Sequence, residues 1–132
     1  MNFKKLGTAL FAGLLLASPL ATVSAQDTVK VGGNFELSGA AAAYGTPMAN
    51  GLKLAVKQYN EENGGVNGKK VEAQVEDNKS DKTEAAAAAT KLVAAGVAGI
   101  VGPATTGDAL AEIPVANDGK TPAIFPAATG NG

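Results

Sequence analysis

Two short stretches carry the hydroxyl groups best placed to do chemistry. In Ile100-Val101-Gly102-Pro103-Ala104-Thr105-Thr106-Gly107-Asp108-Ala109-Leu110 an apolar run stops at a Gly-Pro turn, and two threonines open what reads as a helix. The first turn of a helix leaves backbone N–H groups unpaired and carries roughly half a positive charge, which suits a small anion. Much the same layout recurs at Ala123-Ile124-Phe125-Pro126-Ala127-Ala128-Thr129, where an apolar run again ends in Pro and then Thr. The sequence holds no Cys, His, Trp or Arg. That removes disulfides, thiolate and imidazole metal sites, Cys or His catalysis, and guanidinium clamps on phosphate. What remains for chemistry is Thr, Ser, Tyr, carboxylates and the backbone.

Each of these groups has two readings. Thr105 and Thr106 both fit a helix N-cap, and the spacing from Thr105 to Asp108 resembles a shortened capping box. One threonine then caps while the other offers its hydroxyl and N–H to a carboxylate. Phosphate fits less well, because the loop lacks the Lys of a Walker motif and no G-x-G-x-x-G follows the first strand. Tyr44, at the end of an alanine-rich stretch, is either a surface aromatic or a ring that stacks on an apolar ligand side chain. Asp77 and Glu36 follow strands, where a carboxylate either caps a turn or meets a ligand. Asp108 and Glu112 share a helical face and read as solvated; no nucleophile, base or metal set accompanies them, so they do not form a catalytic pair.

The elements that must position these residues follow from periodicity. Between Thr28 and Phe35, Val29, Val31, Gly33 and Phe35 alternate with Thr28, Lys30, Gly32 and Asn34, the period of a strand. Ala40 to Ala43 reads as a loop over a pocket. A helix is expected from Pro47, with Thr46 as its N-cap and Met48, Leu52, Val56 and Tyr59 on its apolar face, away from Lys53, Lys57 and Asn60. Asn63-Gly64-Gly65-Val66-Asn67-Gly68 is turn chemistry. The next strand, restarting at Lys69, carries Val71, Ala73 and Val75 on one face and Glu72, Gln74 and Glu76 on the other, which suits a sheet edge. A second helix runs from about Asp81 to Ala95 and stops at Gly96; Ile100-Val101 is a short buried strand; a third helix follows Thr106 and is expected to kink or split at Pro114; Ala123 to Phe125 is a fourth strand.

Strand, helix, strand, helix, strand, helix, strand is the order of an α/β fold with a parallel sheet and helices on both faces. Ligands of such sheets sit outside the carboxyl ends of the strands. The strand-end loops there carry Ser38 and Tyr44, Asn78 and Ser80, Thr105 and Thr106, and Ala127 and Thr129, expected to converge on one rim.

With 132 residues, 45% hydrophobic and 17% charged, the chain fits one domain at most. Its N-terminus reads as an export leader: Lys4 and Lys5 precede an apolar run from Leu6 to Ala17, Pro19 breaks it, and Val23-Ser24-Ala25 offers small residues for cleavage after Ala25. The run is too short to span a bilayer, which takes about 20 apolar residues. No Cys follows it to carry a lipid. Losing Lys4 and Lys5 takes the formal charge from −1 to −3, a balance that does not suggest nucleic acid or anionic lipid as partner. The expected organisation is a leader over residues 1–25 and a partial lobe over 26–132.

The order of motifs resembles the periplasmic solute-binding proteins of ABC importers, in particular the branched-chain amino-acid-binding family. The likeness rests on Leu37-Ser38-Gly39 with Tyr44-Gly45, Asn63-Gly64-Gly65-Val66-Asn67-Gly68-Lys69, Glu76-Asp77, Ile100-Val101-Gly102-Pro103 and Phe125-Pro126-Ala127-Ala128-Thr129. It implies that the loops after the third and fourth strands hold an amino acid's carboxylate and ammonium through Thr106 (or Thr105), Thr129 and the backbones of Ala104 and Ala127, and that Tyr44 covers the ligand side chain. It also implies the first segment of a type I N-terminal lobe, incomplete here, from a two-lobed receptor that closes about a hinge. The implied role is non-enzymatic and periplasmic, needs no cofactor, and delivers the ligand to an inner-membrane permease. A ligand-sensing ectodomain of the same fold and a doubly wound cofactor-dependent enzyme are the alternatives.

Overall fold

The computed structural model describes residues 28–130. The expected leader and its cleavage site lie outside them. Four strands, β1 (Val29–Phe35), β2 (Val71–Asp77), β3 (Ile100–Val101) and β4 (Ala123–Ile124), alternate with three helices, α1 (Ala42–Asn63), α2 (Lys82–Ala94) and α3 (Thr106–Asp118). The strands form one sheet in the order β2-β1-β3-β4, every pair parallel. β1 is therefore central and β2 lies at an edge, as its charged face suggests.

The two faces of β1 go to different helices. A side chain at Gly33 would meet Leu52 of α1, whereas one at Gly32 would meet Leu92 of α2 and Val97. α1 thus covers one face and α2 the other, α3 packing alongside α2. Leu92, Val97 and Ile100 form the apolar core under α2, with Val93 and Ala123 against it. Full burial of a side chain such as Leu92 or Ile100 contributes about 1.5–3 kcal/mol each. Ala85, Ala88 and Ala89 are buried on α2, and Ala109 and Ala116 on α3. These small side chains let the two helices lie close.

Three expectations about the helices need correction. α1 begins at Ala42 rather than Pro47, so the alanine stretch enters the helix and Thr46 is not its N-cap; Pro47 lies inside it. Pro47 is the sixth residue of α1 and leaves the Ala43 carbonyl without its helical donor, at a position where Ala43 is exposed to solvent. Gly45 is buried, and a Cβ there would run into the backbone of Glu36, so the glycine lets the start of α1 lie directly on the end of β1. α3 is not split at Pro114 but continues through it as one helix; Leu110, whose carbonyl Pro114 leaves without a donor, is 55% exposed. Asn60 also turns toward the sheet instead of joining the lysines. Its amide nitrogen donates to the Val71 carbonyl at 2.8 Å and its oxygen accepts from the Val71 N–H at 2.8 Å, which ties α1 to the outer strand.

The remaining punctuation follows the sequence. Gly64 ends α1 in the left-handed conformation at φ 70°. Asn67 and Gly68, both at positive φ, close a tight turn in which Val66 and Lys69 exchange backbone hydrogen bonds of 2.8 and 2.9 Å. Asp81 caps α2 by accepting from the N–H groups of Thr83 and Glu84. Among the described residues no helix is long and apolar enough to cross a membrane.

Candidate functional site

At the carboxyl edge of the sheet, Tyr44, Ala104, Thr105, Thr106, Ala127 and Thr129 line one cleft of about 240 Å³. All six are the residues singled out from the sequence, and their side chains are all uncharged. The β3–α3 loop forms the floor: Ala104 is 5% exposed, while Tyr44 at the mouth is 67% exposed. The β4 loop joins it through the Gly130 N–H, which donates to Thr106 Oγ1 at 3.0 Å. Ser38, Asn78 and Ser80, expected on the same rim, are not among the lining residues.

The structure divides the two threonines. Thr105 is the N-cap of α3: its Oγ1 accepts from the Asp108 N–H at 3.3 Å and donates to Asp108 Oδ2 at 2.8 Å. Thr106 is left to face the cleft. Among the described residues neither the Thr106 nor the Gly107 N–H, the first two donors of α3, meets a protein acceptor. The Thr106 hydroxyl accepts from Gly130 and keeps its own proton to donate. Of Thr106 and Gly107 only Thr106 lines the cleft, Gly107 bordering a broader hollow on the far side of the loop, so this end of the cleft can hold a carboxylate by the Thr106 amide and hydroxyl. The Ala104 N–H does not join them, because it donates to Glu36 Oε2 at 3.1 Å, and the Thr105 N–H donates to Glu36 Oε1 at 2.9 Å. Of the Ala104 backbone, the carbonyl remains for a ligand.

Glu36, Asp108 and Glu112 are the residues whose setting the sequence concealed. Asp108 and Glu112, expected in solvent, are 4% and 0% exposed, and Glu36 is 0% exposed. The reason lies in β1. Gly32, Asn34 and Glu36 alternate onto the face covered by α2 and α3, so the polar side of the strand is interior. Asn34 Nδ2 donates to Glu112 Oε2 at 2.7 Å and to the Ala85 carbonyl at 2.9 Å, while its Oδ1 accepts from Asn78 Nδ2 at 3.2 Å. Burial, partly offset by the Asn34 hydrogen bond, pushes the Glu112 carboxyl up to about 7. Among the described residues its Oε1 meets no hydrogen-bond partner. Burial also raises the Asp108 carboxyl against the hydrogen bond from Thr105, and the adjacent Glu36 carboxylate adds to the rise. The legible signal was Ala109 and Ala116 bracketing Glu112, since small residues on a helix mark its packed side.

Asp77 has a structural task. Its Oδ1 accepts from the N–H groups of Leu37, Ser38 and Lys79 at 3.0, 3.2 and 2.8 Å, and its Oδ2 accepts from Ser38 Oγ at 2.8 Å. Burial raises its carboxyl, but these hydrogen bonds together outweigh that and leave it lowered. Ser80 Oγ donates to the Ser38 carbonyl at 2.8 Å and accepts from the Ala41 N–H at 3.0 Å. Asp77 and Ser80 thus lock the β1 loop to the β2 loop and fix where Tyr44 starts. On the far side of the β3–α3 loop a broader hollow of about 660 Å³ is bordered by Ser80, Asp81, Lys82 and Asp108, with charges of both signs on its wall. Among the described residues no group of His, Cys, Asp or Glu is arranged to hold a metal ion.

A parallel sheet whose strand-end loops gather hydroxyls, backbone groups and an aromatic ring around one neutral cleft is a lobe of doubly wound α/β type. Residues 28–132 match the family described as periplasmic binding protein, and the chain belongs to that family. A Leu/Ile/Val-binding protein of Rhizobium johnstonii is 33% identical over 129 residues, which is 98% of this chain and 34% of that protein. The chain therefore spans about a third of that relative's length. Among solved structures, the branched-chain amino acid transporter substrate-binding protein of Streptococcus pneumoniae in complex with isoleucine is 45% identical, with a TM-score of 0.77 over 80% of this chain and 30% of that one. A solute-binding protein of an ABC transporter from Rhodopseudomonas palustris, in complex with 3,4-dihydroxybenzoic acid, is 32% identical with a TM-score of 0.69, covering 76% of this chain and 27% of that one.

Proposed function

We propose that this chain forms the first-lobe half of the ligand site in a receptor that binds a branched-chain amino acid or a similar small zwitterion and delivers it to the permease of an ABC importer. The observation that supports it is the neutral cleft of Tyr44, Ala104, Thr105, Thr106, Ala127 and Thr129, with the free Thr106 amide and hydroxyl at one end. Its volume lies below the roughly 300–1,000 Å³ of pockets for drug-sized ligands, a scale suited to an amino acid. In this reading the Thr106 hydroxyl and N–H take the carboxylate, Thr129 and the Ala104 and Ala127 carbonyls face the ammonium, and Tyr44 covers the side chain. The role is binding and release without catalysis. Residues 1–25 are a cleaved leader, residues 26–132 are part of the N-terminal lobe, and the mature protein works in the periplasm.

Isothermal calorimetry on the product of the full reading frame, with leucine, isoleucine, valine and short amides, tests this. Saturable heat with one of the amino acids is expected. No heat with any zwitterion, together with binding of a sugar or nucleotide, overturns it. A second reading, in which the ligand is a carboxylate without an ammonium, is favoured by the relative solved with 3,4-dihydroxybenzoic acid. The same titration with that acid separates the two.

A further inference from the structure

The feature of this rim with no assigned task is Glu36. It is fully buried, yet its two carboxylate oxygens take the N–H groups of Ala104 and Thr105, at 3.1 and 2.9 Å. A trans peptide is planar with its N–H and C=O pointing in opposite directions. Holding the Thr105 N–H inward therefore turns the Ala104 carbonyl outward, on the side where Ala104 borders the cleft. That carbonyl has no donor among the described residues. One residue further on, the Thr106 N–H, which meets no protein acceptor among the described residues, borders the same cleft. The loop thus presents an acceptor beside the N–H and hydroxyl of Thr106, and the acceptor exists because a carboxylate lies behind the loop. Were a neutral group there, these peptides could rotate and add N–H donors to the cleft.

We propose that Glu36 is a positioning residue that sets ligand selectivity: it fixes the β3–α3 loop so that the cleft prefers a ligand carrying an ammonium beside its carboxylate over a bare carboxylate. Its negative charge, one peptide behind the cleft, works in the same direction by disfavouring a ligand of net charge −1. The proposal rests on the amino-acid-binding reading and assigns its selectivity to a residue that does not touch the ligand.

The test compares isoleucine with 3-methyl-2-oxopentanoate, the same skeleton with a keto oxygen in place of the ammonium, by calorimetry on the full reading-frame product. Wild type is expected to prefer isoleucine by at least tenfold. Glu36→Gln is expected to lower that ratio about tenfold, with measurable binding of the oxo acid. Glu36→Asp, which keeps the charge on a shorter arm, is expected to weaken both ligands and keep the preference. A role in folding alone would weaken both ligands equally in Glu36→Gln, so an unchanged ratio there overturns the proposal, as does a variant that rejects the oxo acid as strongly as wild type. If Glu36→Gln does not fold, wild type decides: a preference below twofold overturns the proposal and a tenfold preference lost in Glu36→Ala supports it, whereas full preference in a folded Glu36→Ala also overturns it. Wild type that binds neither ligand refutes the amino-acid reading itself, a result distinct from an unchanged ratio.

Discussion

Thr105 and Thr106 are adjacent and chemically identical, yet the fold gives them different work. Thr105 spends its hydroxyl on Asp108 at the start of α3; Thr106 keeps a hydroxyl proton and an N–H on the cleft. Thr105→Val is therefore expected to lower stability by about 1 kcal/mol, the usual loss for a helix cap, read as a fall in melting temperature. Thr106→Val is expected to leave the melting temperature nearly unchanged and to weaken isoleucine binding roughly tenfold or more, since a hydrogen bond to a charged group contributes about 1.5–3 kcal/mol. Glu112 gives a prediction of another kind. Its carboxyl is raised from 4.5 to about 7 by burial, so between those values the native state holds more protons than the unfolded chain. The stability from this group is then fully present below about pH 4.5 and is lost as pH rises through 7, by about 3 kcal/mol in total. Urea denaturation at pH 5 and pH 8 measures it. Glu112→Gln, neutral at both, is expected to remove this group's share of the fall.

Among the elements, the β3–α3 connection depends most on backbone geometry. Gly102 adopts φ 101°, and a Cβ there would run into the Asn34 carbonyl oxygen and crowd the Phe35 ring. Gly102→Ala is therefore expected to destabilise by about 3 kcal/mol or more, from left-handed strain together with displaced backbone, and chemical denaturation would show it. Alternating residue types exposed β1 and β2, and the high helix propensity of Ala85 to Ala89 exposed α2, whose ends fall close to the expected ones because Asp81 and Gly96 are local signals. Periodicity misplaced the start of α1 because four alanines carry no stripe at all; what makes Ala42 helical is the seat that Gly45 finds on the end of β1. At Pro114 the helix runs on unbroken, at a position where both Pro114 and Leu110, whose carbonyl loses its donor, are exposed.

For the molecule as a whole, the order β2-β1-β3-β4 places β1 between two parallel neighbours while β2 and β4 each have one. Amide hydrogen exchange is expected to be slowest in β1, around Gly32 to Asn34, and fastest among the strands in the two-residue β4; mass spectrometry with peptide resolution checks this ranking. The sequence by itself determined the alternation of strands and helices, the parallel sheet and the loops that carry Tyr44, Thr105, Thr106, Ala127 and Thr129, because these follow from periodicity, turn residues and the rule that α/β ligands gather at strand ends. The tertiary structure alone decided which polar residues lie inside. A strand alternates its faces whatever covers them, so the pattern Gly32, Asn34, Glu36 could not reveal that α2 and α3 bury that side. Once they do, Asn34, Asn78 and Glu112 must satisfy one another, and Glu36 must find the two amides of the β3–α3 loop.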